Sequence, residues 1–538
     1  MTELPAPTRR VTVVEVSNSE PSALLARGGV LGPAFLRYLP TQRWFGSKTR
    51  NPRAALVRDA IDLTPAGDLW LAFVEVSFDQ GEAETYVLPL AVERTTTTPE
   101  RAVVGARAKS GVGPTWLVDA SGDPRVAETM HRLAVREMRK RAGSVKLVGV
   151  RSRAESPEPS GPASAFTNDQ SNSSFRIGRE FMDKLVRKVE PGVSLEVELL
   201  EHLARAPARA HVPELVGRVD ATLGRGQTAT IWVSERYVEN VGDAFSTTVA
   251  AVARYYERAL GPAGPTLPAS PAPFLPHTAL DAPPRVQELF GEHLPRVELL
   301  AKRTAELHRT LAHDRANPSF RPQAPDDAFR RSLDVSLRIL FERASEKLER
   351  AELPPLEAEL RSRLLPRRHD LLRHAERALT ARSDAPLIRV HGDYHLGQVL
   401  DTGNDFVIVD FAGEPARPRE ERARRRSPLC DVAGMLRSFH YAAFGVLTGA
   451  VGPSSLDGLP APVLVPWAAL HARWSGAVFL SAYLDAMSGS GLLPTQSLAL
   501  ELELHLVEKA LYELAYELDF RPRWVSVPLR GLLELLGD

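Results

Sequence analysis

Apolar and polar positions alternate in short runs along the amino-terminal part of the chain, at residues 11–16, 69–76 and 85–92. A period of two predicts half-buried strands, so a small sheet with accompanying helices is expected up to about residue 100. A strand is predicted at 115–120, a helix at 124–142 and a further strand at 145–150, and TIWVSERYV (230–238) reads as the last strand of this part. Residues 151–164, rich in Pro, Ser, Gly and Glu, read as a mobile loop or linker, and the proline-dense 261–284 as a loop outside the core. From Val286 onward the pattern is mostly helical, interrupted by the apolar run FVIV at 406–409. No repeat of solenoid period is present, which excludes a stacked array.

Composition narrows the class without choosing a chemistry. At 538 residues the chain exceeds what one hydrophobic core usually supports, so two or three lobes are expected. With 67 basic and 67 acidic residues there is no net charge to recruit nucleic acid or a membrane surface. The basic run from Arg422 to Arg426 reads as solvated or phosphate-facing. A single cysteine, Cys430, excludes an internal disulfide framework and reads as a small packed side chain. No apolar run approaches the length of a bilayer span and the amino terminus lacks a secretory core, so a cytoplasmic protein is expected.

The chemistry concentrates in RVHGDYHLGQVLDTGNDFVIVDFAGEP, residues 389–415. Asp393 follows His391 and Gly392, Gln398 stands five positions later, and Asp410 ends the run FVIV. Phosphoryl transfer to a hydroxyl asks for this set: one aspartate to orient the acceptor and take its proton, and an amide and a second aspartate to hold magnesium against the nucleotide phosphates. Protein-kinase catalytic loops space base and amide in the same way, with an aspartate opening a DFG turn beyond them. Here Gln398 stands for the asparagine and DFAG for DFG, and both side chains carry oxygen, the ligand magnesium prefers. Taken singly, HGD could be a surface turn and VIVDF a buried strand; the three pieces in order favour the catalytic reading. No G-x-G-x-x-G and no GxxxxGK[ST] occurs, which excludes a P-loop.

HGDYHLGQVL (391–400), VDFAGEPARP (409–418), RRRSPLCDVAGMLRSFHYAA (424–443) and ELHLVEKALYELAYELDFRPRWVSVPLRGLLELL (503–536) together resemble the sugar kinases of the aminoglycoside-phosphotransferase type, and among them the maltokinases. LPTQRWFGSK (39–48) looks like the motif of the amino-terminal cap that maltokinases carry. The resemblance implies an α+β, protein-kinase-like bilobal fold with an extra cap domain at 1–100, a nucleotide-side N-lobe at 101–238 and a mostly helical C-lobe at 239–538. It implies ATP and Mg2+ as cofactors and transfer to the anomeric hydroxyl of maltose, feeding trehalose-to-glycogen synthesis. It further implies trehalose synthase as a partner in that route, and the chain is expected as a monomer or weak homo-oligomer.

Carried over residue by residue, the resemblance makes Asp393 the base and Gln398 and Asp410 the metal ligands. Gln170, Ser171, Asn172 and Ser173 fall in the NDQSN segment read as the loop over the phosphates, where backbone amides and hydroxyls can donate without glycine. Lys184 takes the place of the lysine that grips the α and β phosphates, with Glu198 as its ion-pair partner against the competing Glu196 and Glu201. The sugar side is expected from His395, Asp431, Arg437, Glu508, Lys509, Tyr512, Glu513 and Tyr516. Residues 509, 512, 513 and 516 share a helical face that mixes polar groups with aromatic rings, as sugars require. His440 is a weaker candidate, and Trp474 reads as core. Two positions depart from the maltokinase pattern: Ala412 stands where the family has Glu, and Cys430 where it has Arg. A related kinase acting on glucosamine or another hexose, and a catalytically silent kinase-like partner of trehalose synthase, are the alternatives; intact Asp393, Gln398, Asp410 and Lys184 speak against the silent module.

Overall fold

The computed structural model describes residues 11–47, 50–108, 113–152, 157–166, 172–207, 210–224, 226–260, 266–272, 280–381, 383–415, 417–451 and 461–537. The chain divides into two compact units. One comprises Met1–Glu201, Pro213–Tyr237 and Pro415–Arg419; the other comprises His202–Val212, Val238–Glu414 and Glu420–Asp538.

Two sheets build the first unit. In the amino-terminal sheet the strand order is Thr12–Val16, Ala102–Ala108, Thr115–Asp119, Glu84–Arg94, Leu69–Phe78 and Pro52–Asp62, with Lys188–Val189 paired to Glu84–Arg94. Only Thr12–Val16 and Ala102–Ala108 run parallel. The period of two explains its two-sided burial. Leu69, Leu71 and Phe73 face one core, while Ala72, Val74 and Val76 face another beneath the helix Gly32–Tyr38. The sheet therefore extends through Asp119, beyond the boundary expected at residue 100.

The second sheet runs Arg139–Ala142, Val145–Arg151, Leu215–Leu223, Gln227–Arg236, Phe181–Leu185, Ser173–Ile177 and Ala163–Ala165. Its apolar face, with Phe175, Phe181, Val219 and Trp232, shares a single core with Leu71, Phe73 and Val87 of the first sheet and with the helix Pro124–Val135. Asp123 caps that helix, its carboxylate accepting from the Arg125 amide at 2.9 Å. The helix stops at Val135 rather than at 142, because Glu137 takes a positive φ of 52° and the chain turns back as the hairpin Arg139–Ala142 with Val145–Arg151.

The second unit is mainly helical around one small sheet, Gly242–Asp243, Val399–Asp401 and Phe406–Ile408. Helices Asp327–Arg350, Arg368–Thr380, Leu498–Phe520 and Ser526–Leu535 pack a common core that includes Phe341, Leu371, Leu511 and Leu529. Asp243 and Asp326 cap the helices Ala244–Ala259 and Asp327–Arg350. Among the described residues one segment, Val463–Met487, is by length and composition apolar enough to cross a bilayer, contrary to the expectation of no such run; most of it is buried inside the protein. Such a stretch fits a core helix of a large helical unit equally well.

Gly149 lies where the strand Val145–Arg151 crosses the carboxyl end of Pro124–Val135, and a Cβ there would stand 1.7 Å from the Leu133 carbonyl oxygen. Gly149→Ala should destabilise the first unit by about 1–3 kcal/mol, the usual range for overpacking. A lowered denaturation midpoint in the variant checks it.

Candidate active site

Hairpin register brings together the two expected metal ligands. Val399 pairs with Ile408 and Leu400 with Val407, so the residues just outside the ladder, Gln398 and Val409, also meet, the Val409 amide donating to the Gln398 carbonyl at 2.9 Å. Asp410 follows at once, and the Gln398 Nε2 donates to its Oδ2 at 3.2 Å. Asp410 has a φ of 64° and is, with Glu137, one of two non-glycine residues of positive φ among those described. Aspartate tolerates this region better than most side chains, and such conformations concentrate at functional sites.

The loop bearing Asp393 is held from below by a buried carboxylate. Asp431, in the helix Leu429–Leu447, accepts from the His391 amide at 2.8 Å, the Gly392 amide at 2.9 Å and the His308 Nε2 at 3.1 Å. Burial pushes its pKa up, but His308, His391 and the Gly392 amide outweigh this and hold it below the usual carboxylate range. The His391 ring spans the turn, its Nε2 2.9 Å from the Val409 carbonyl and its Nδ1 accepting from the Asp393 amide at 3.3 Å. Farther along, Tyr394 hydroxyl meets Thr304 at 2.8 Å and the Leu396 amide donates to Ser438 at 3.0 Å. Gly434 lets the helix approach, since a Cβ there would lie 2.4 Å from the Tyr394 carbonyl.

Asp393 itself faces a lysine. Lys509 Nζ lies 3.3 Å from Asp393 Oδ1 and 2.7 Å from Glu414 Oε1. Burial pushes the Asp393 carboxyl up, yet Lys509, aided by His395 and His391, more than offsets it and keeps Asp393 ionised below its ordinary pKa. Burial would lower the Lys509 pKa, but Glu414, Asp393 and Glu513 hold it well above the usual value. His395 accepts from the Gly397 amide at 3.0 Å and feels both Asp393 and Asp410, while burial drives its pKa down.

The sugar-side expectations divide. Lys509, Tyr512 and Tyr516 do share one face of Leu498–Phe520: the Lys509 ammonium sits 5.2 Å from the Tyr512 ring centre, and the two tyrosine rings stack at 6.4 Å. Glu513 is buried behind them, its carboxylate accepting from Arg437 Nε at 2.9 Å. Three of the expected residues are corrected. Asp431 is 1% exposed and committed to the loop amides, and Arg437 is likewise 1% exposed and committed to Glu513 and His440. Glu508, one residue round the helix from Lys509, turns inward to Arg426 and His505. Trp474 is core, as read.

In the first unit, the ladder sets Lys184 opposite Ser174, beside the start of the strand Ser173–Ile177. Its Nζ lies 2.5 Å from Glu196 Oε1, which makes Glu196 an ion-pair partner where Glu198 was expected. Helix phase decides this: two residues turn a helix by about 200°, and it is Glu196 in the first turn of Leu195–Arg205 that is buried toward the sheet. The Ser173 hydroxyl accepts from Arg187 at 2.6 Å. Gln170 and Ser171 lie outside the described residues, and Asn172 immediately precedes the strand. Arg187 is buried, donates to the Val87 carbonyl at 3.2 Å and lies 4.7 Å from the ring centre of Trp44 in the QRWFG segment.

Gln398 and Asp410 fit magnesium by donor type, an amide and a carboxylate already side by side. Among the described residues no group of three His, Cys, Asp or Glu could hold a metal. Sequence reasoning missed Glu414 and His308. Glu414 had a signal, its place four residues after Asp410 in DFAGEP; His308 had none.

An ionised aspartate on a clamped loop, followed by an amide–carboxylate pair across a hairpin, defines a kinase-like phosphotransferase. Residues 162–450 match the phosphotransferase enzyme family, and the chain belongs to it. Residues 38–123 match the maltokinase N-terminal cap domain. Among curated proteins it is similar to glucosamine kinase of Streptacidiphilus jiangxiensis, 34% identical over 196 residues, 35% of this chain and 40% of that one. It is also similar to glucosamine kinase of Mycolicibacterium smegmatis (strain ATCC 700084 / mc(2)155), 31% identical over 154 residues, 28% of this chain and 35% of that one. The matched stretches thus span well under half the length of these relatives. A solved glucosamine kinase in complex with glucosamine, ADP and inorganic phosphate has a TM-score of 0.58 at 20% identity, covering 96% of this chain and all of that one. A second crystal form of glucosamine kinase gives 0.60, also at 20% identity, over 91% and 96%. At this identity the likeness establishes the fold: kinase-like, with an amino-terminal cap.

Asp431→Ala should strand two loop amides and His308 in a buried setting, costing about 3–5 kcal/mol by the measure of broken buried pairs. Turnover should fall along with the melting temperature; an unchanged rate would separate Asp431 from the loop's position.

Proposed function

We propose that the chain transfers the γ-phosphoryl group of ATP to the anomeric hydroxyl of maltose, giving maltose 1-phosphate and ADP. The observation that carries phosphoryl transfer is the ionised Asp393 on its clamped loop, joined through the hairpin to the Gln398–Asp410 pair. The match of residues 38–123 to the maltokinase cap supports maltose as the acceptor. In this reading Asp393 orients the acceptor hydroxyl and takes its proton as the new O–P bond forms and the bond from the γ-phosphorus to the bridging oxygen breaks, leaving ADP. Gln398 and Asp410 would hold magnesium, which when bound supplies charge neutralisation at the phosphates. Lys184, braced by Glu196, fixes the nucleotide tail, and Tyr512 and Tyr516 offer ring faces to the sugar.

A second reading, phosphorylation of glucosamine or another hexose, is favoured by the names of the similar proteins. Side-by-side assays of ADP release with maltose, glucosamine and glucose decide between them. Maltose should give the highest kcat/KM; turnover of glucosamine with maltose ignored would overturn the substrate and leave the chemistry standing. Asp393→Asn should lower kcat about 10²–10⁴-fold, the usual contribution of a positioned base, with nucleotide affinity nearly unchanged.

A further inference from the structure

We infer that Lys509 is a specificity-determining residue that selects sugars uncharged next to the acceptor hydroxyl, because its ammonium already fills the cation position between Asp393 and Glu414. The inference rests on the reading of Asp393 as the group that receives the anomeric hydroxyl. Lys509 Nζ lies 3.3 Å from Asp393 and 2.7 Å from Glu414, with its side chain 16% exposed. The neighbouring carboxylate of Glu513 has a cation of its own in Arg437.

Geometry then restricts the substrate. An acceptor hydroxyl must come within about 2.6–3.2 Å of Asp393 to lose its proton there. On a pyranose, the substituent of the adjoining carbon follows it into the same corner, one hydrogen-bond length farther on. A hydroxyl in that place can accept from the lysine ammonium, which has donors only. An ammonium in that place can accept nothing and sets two like charges together in a poorly solvated site, where their repulsion is much stronger than in water. A site made for a 2-amino sugar would leave the cation position to the substrate; here the chain supplies the cation itself. Lys509 thus does two things at once: it keeps Asp393 ionised and it makes a 2-ammonium sugar the wrong partner.

The test measures kcat/KM for glucosamine, glucose and maltose with the full chain, wild type, Lys509→Met and Lys509→Arg. Wild type should use glucosamine at least tenfold less well than glucose. Lys509→Met should raise the glucosamine-to-glucose ratio tenfold or more while lowering kcat for both neutral sugars, and Lys509→Arg should restore the wild-type ratio. A merely structural lysine would lower all rates together and leave the ratio within twofold, which overturns the inference. A wild type that prefers glucosamine to glucose overturns it without any variant. Failure on maltose alone would remove the maltose reading and leave the ratio to judge Lys509.

Discussion

The carboxylate of Asp431 is the constraint on which the catalytic unit depends. It is buried and ionised, and it receives two consecutive loop amides and an imidazole. A charge in such a place is stable only while all its donors stay in position, so the loop from His391 to Gln398 is pinned where the helix Leu429–Leu447 puts it. From that point the geometry propagates by backbone alone. The His391 ring ties the turn to Val409, the hairpin ladder follows, and Gln398 meets Asp410. Loss of one buried acceptor would loosen Asp393 and the Gln398–Asp410 pair together.

The loop and hairpin of residues 389–415 are legible in the sequence because their logic is local. A five-residue interval and a strand ending in aspartate are visible in one dimension, and Asp393, Gln398 and Asp410 lie in the loop and hairpin they imply. Helix phase is not visible in this way. Glu196 and Glu198 are equally plausible partners for Lys184 until the packing of Leu195–Arg205 turns one toward the sheet. Asp431, Arg437 and Glu508 were misjudged for the same reason: a polar residue on a helix reads as available, and only the neighbouring helices reveal that each is already committed within the unit. Lys509 was singled out for the sugar, but its contact with Asp393 joins residues 116 positions apart in the chain.

Strand patterning served better than boundaries. The runs at 11–16, 69–76 and 85–92 coincide with strands Thr12–Val16, Leu69–Phe78 and Glu84–Arg94. Yet the helix from Pro124 ended early at a residue of positive φ, a backbone event that side-chain periodicity does not encode. The amino-terminal sheet takes three strands from the domain expected at 101–238, Ala102–Ala108, Thr115–Asp119 and Lys188–Val189, since alternation marks a strand without naming the sheet that takes it.

The pairing of Lys188–Val189 with Thr85 and Tyr86, and the apolar core common to both sheets of the first unit, bear on how this chain can be dissected. A recombinant fragment beginning at the helix Pro124–Val135 would strip Ile61, Leu71, Phe73 and Val87 from that core and leave its remaining apolar side chains short of cover. Its fate would be clumping rather than a trimmed enzyme, because an apolar sheet face without its cover seeks another. What looks in domain order like a removable hat is one of the two walls of that core.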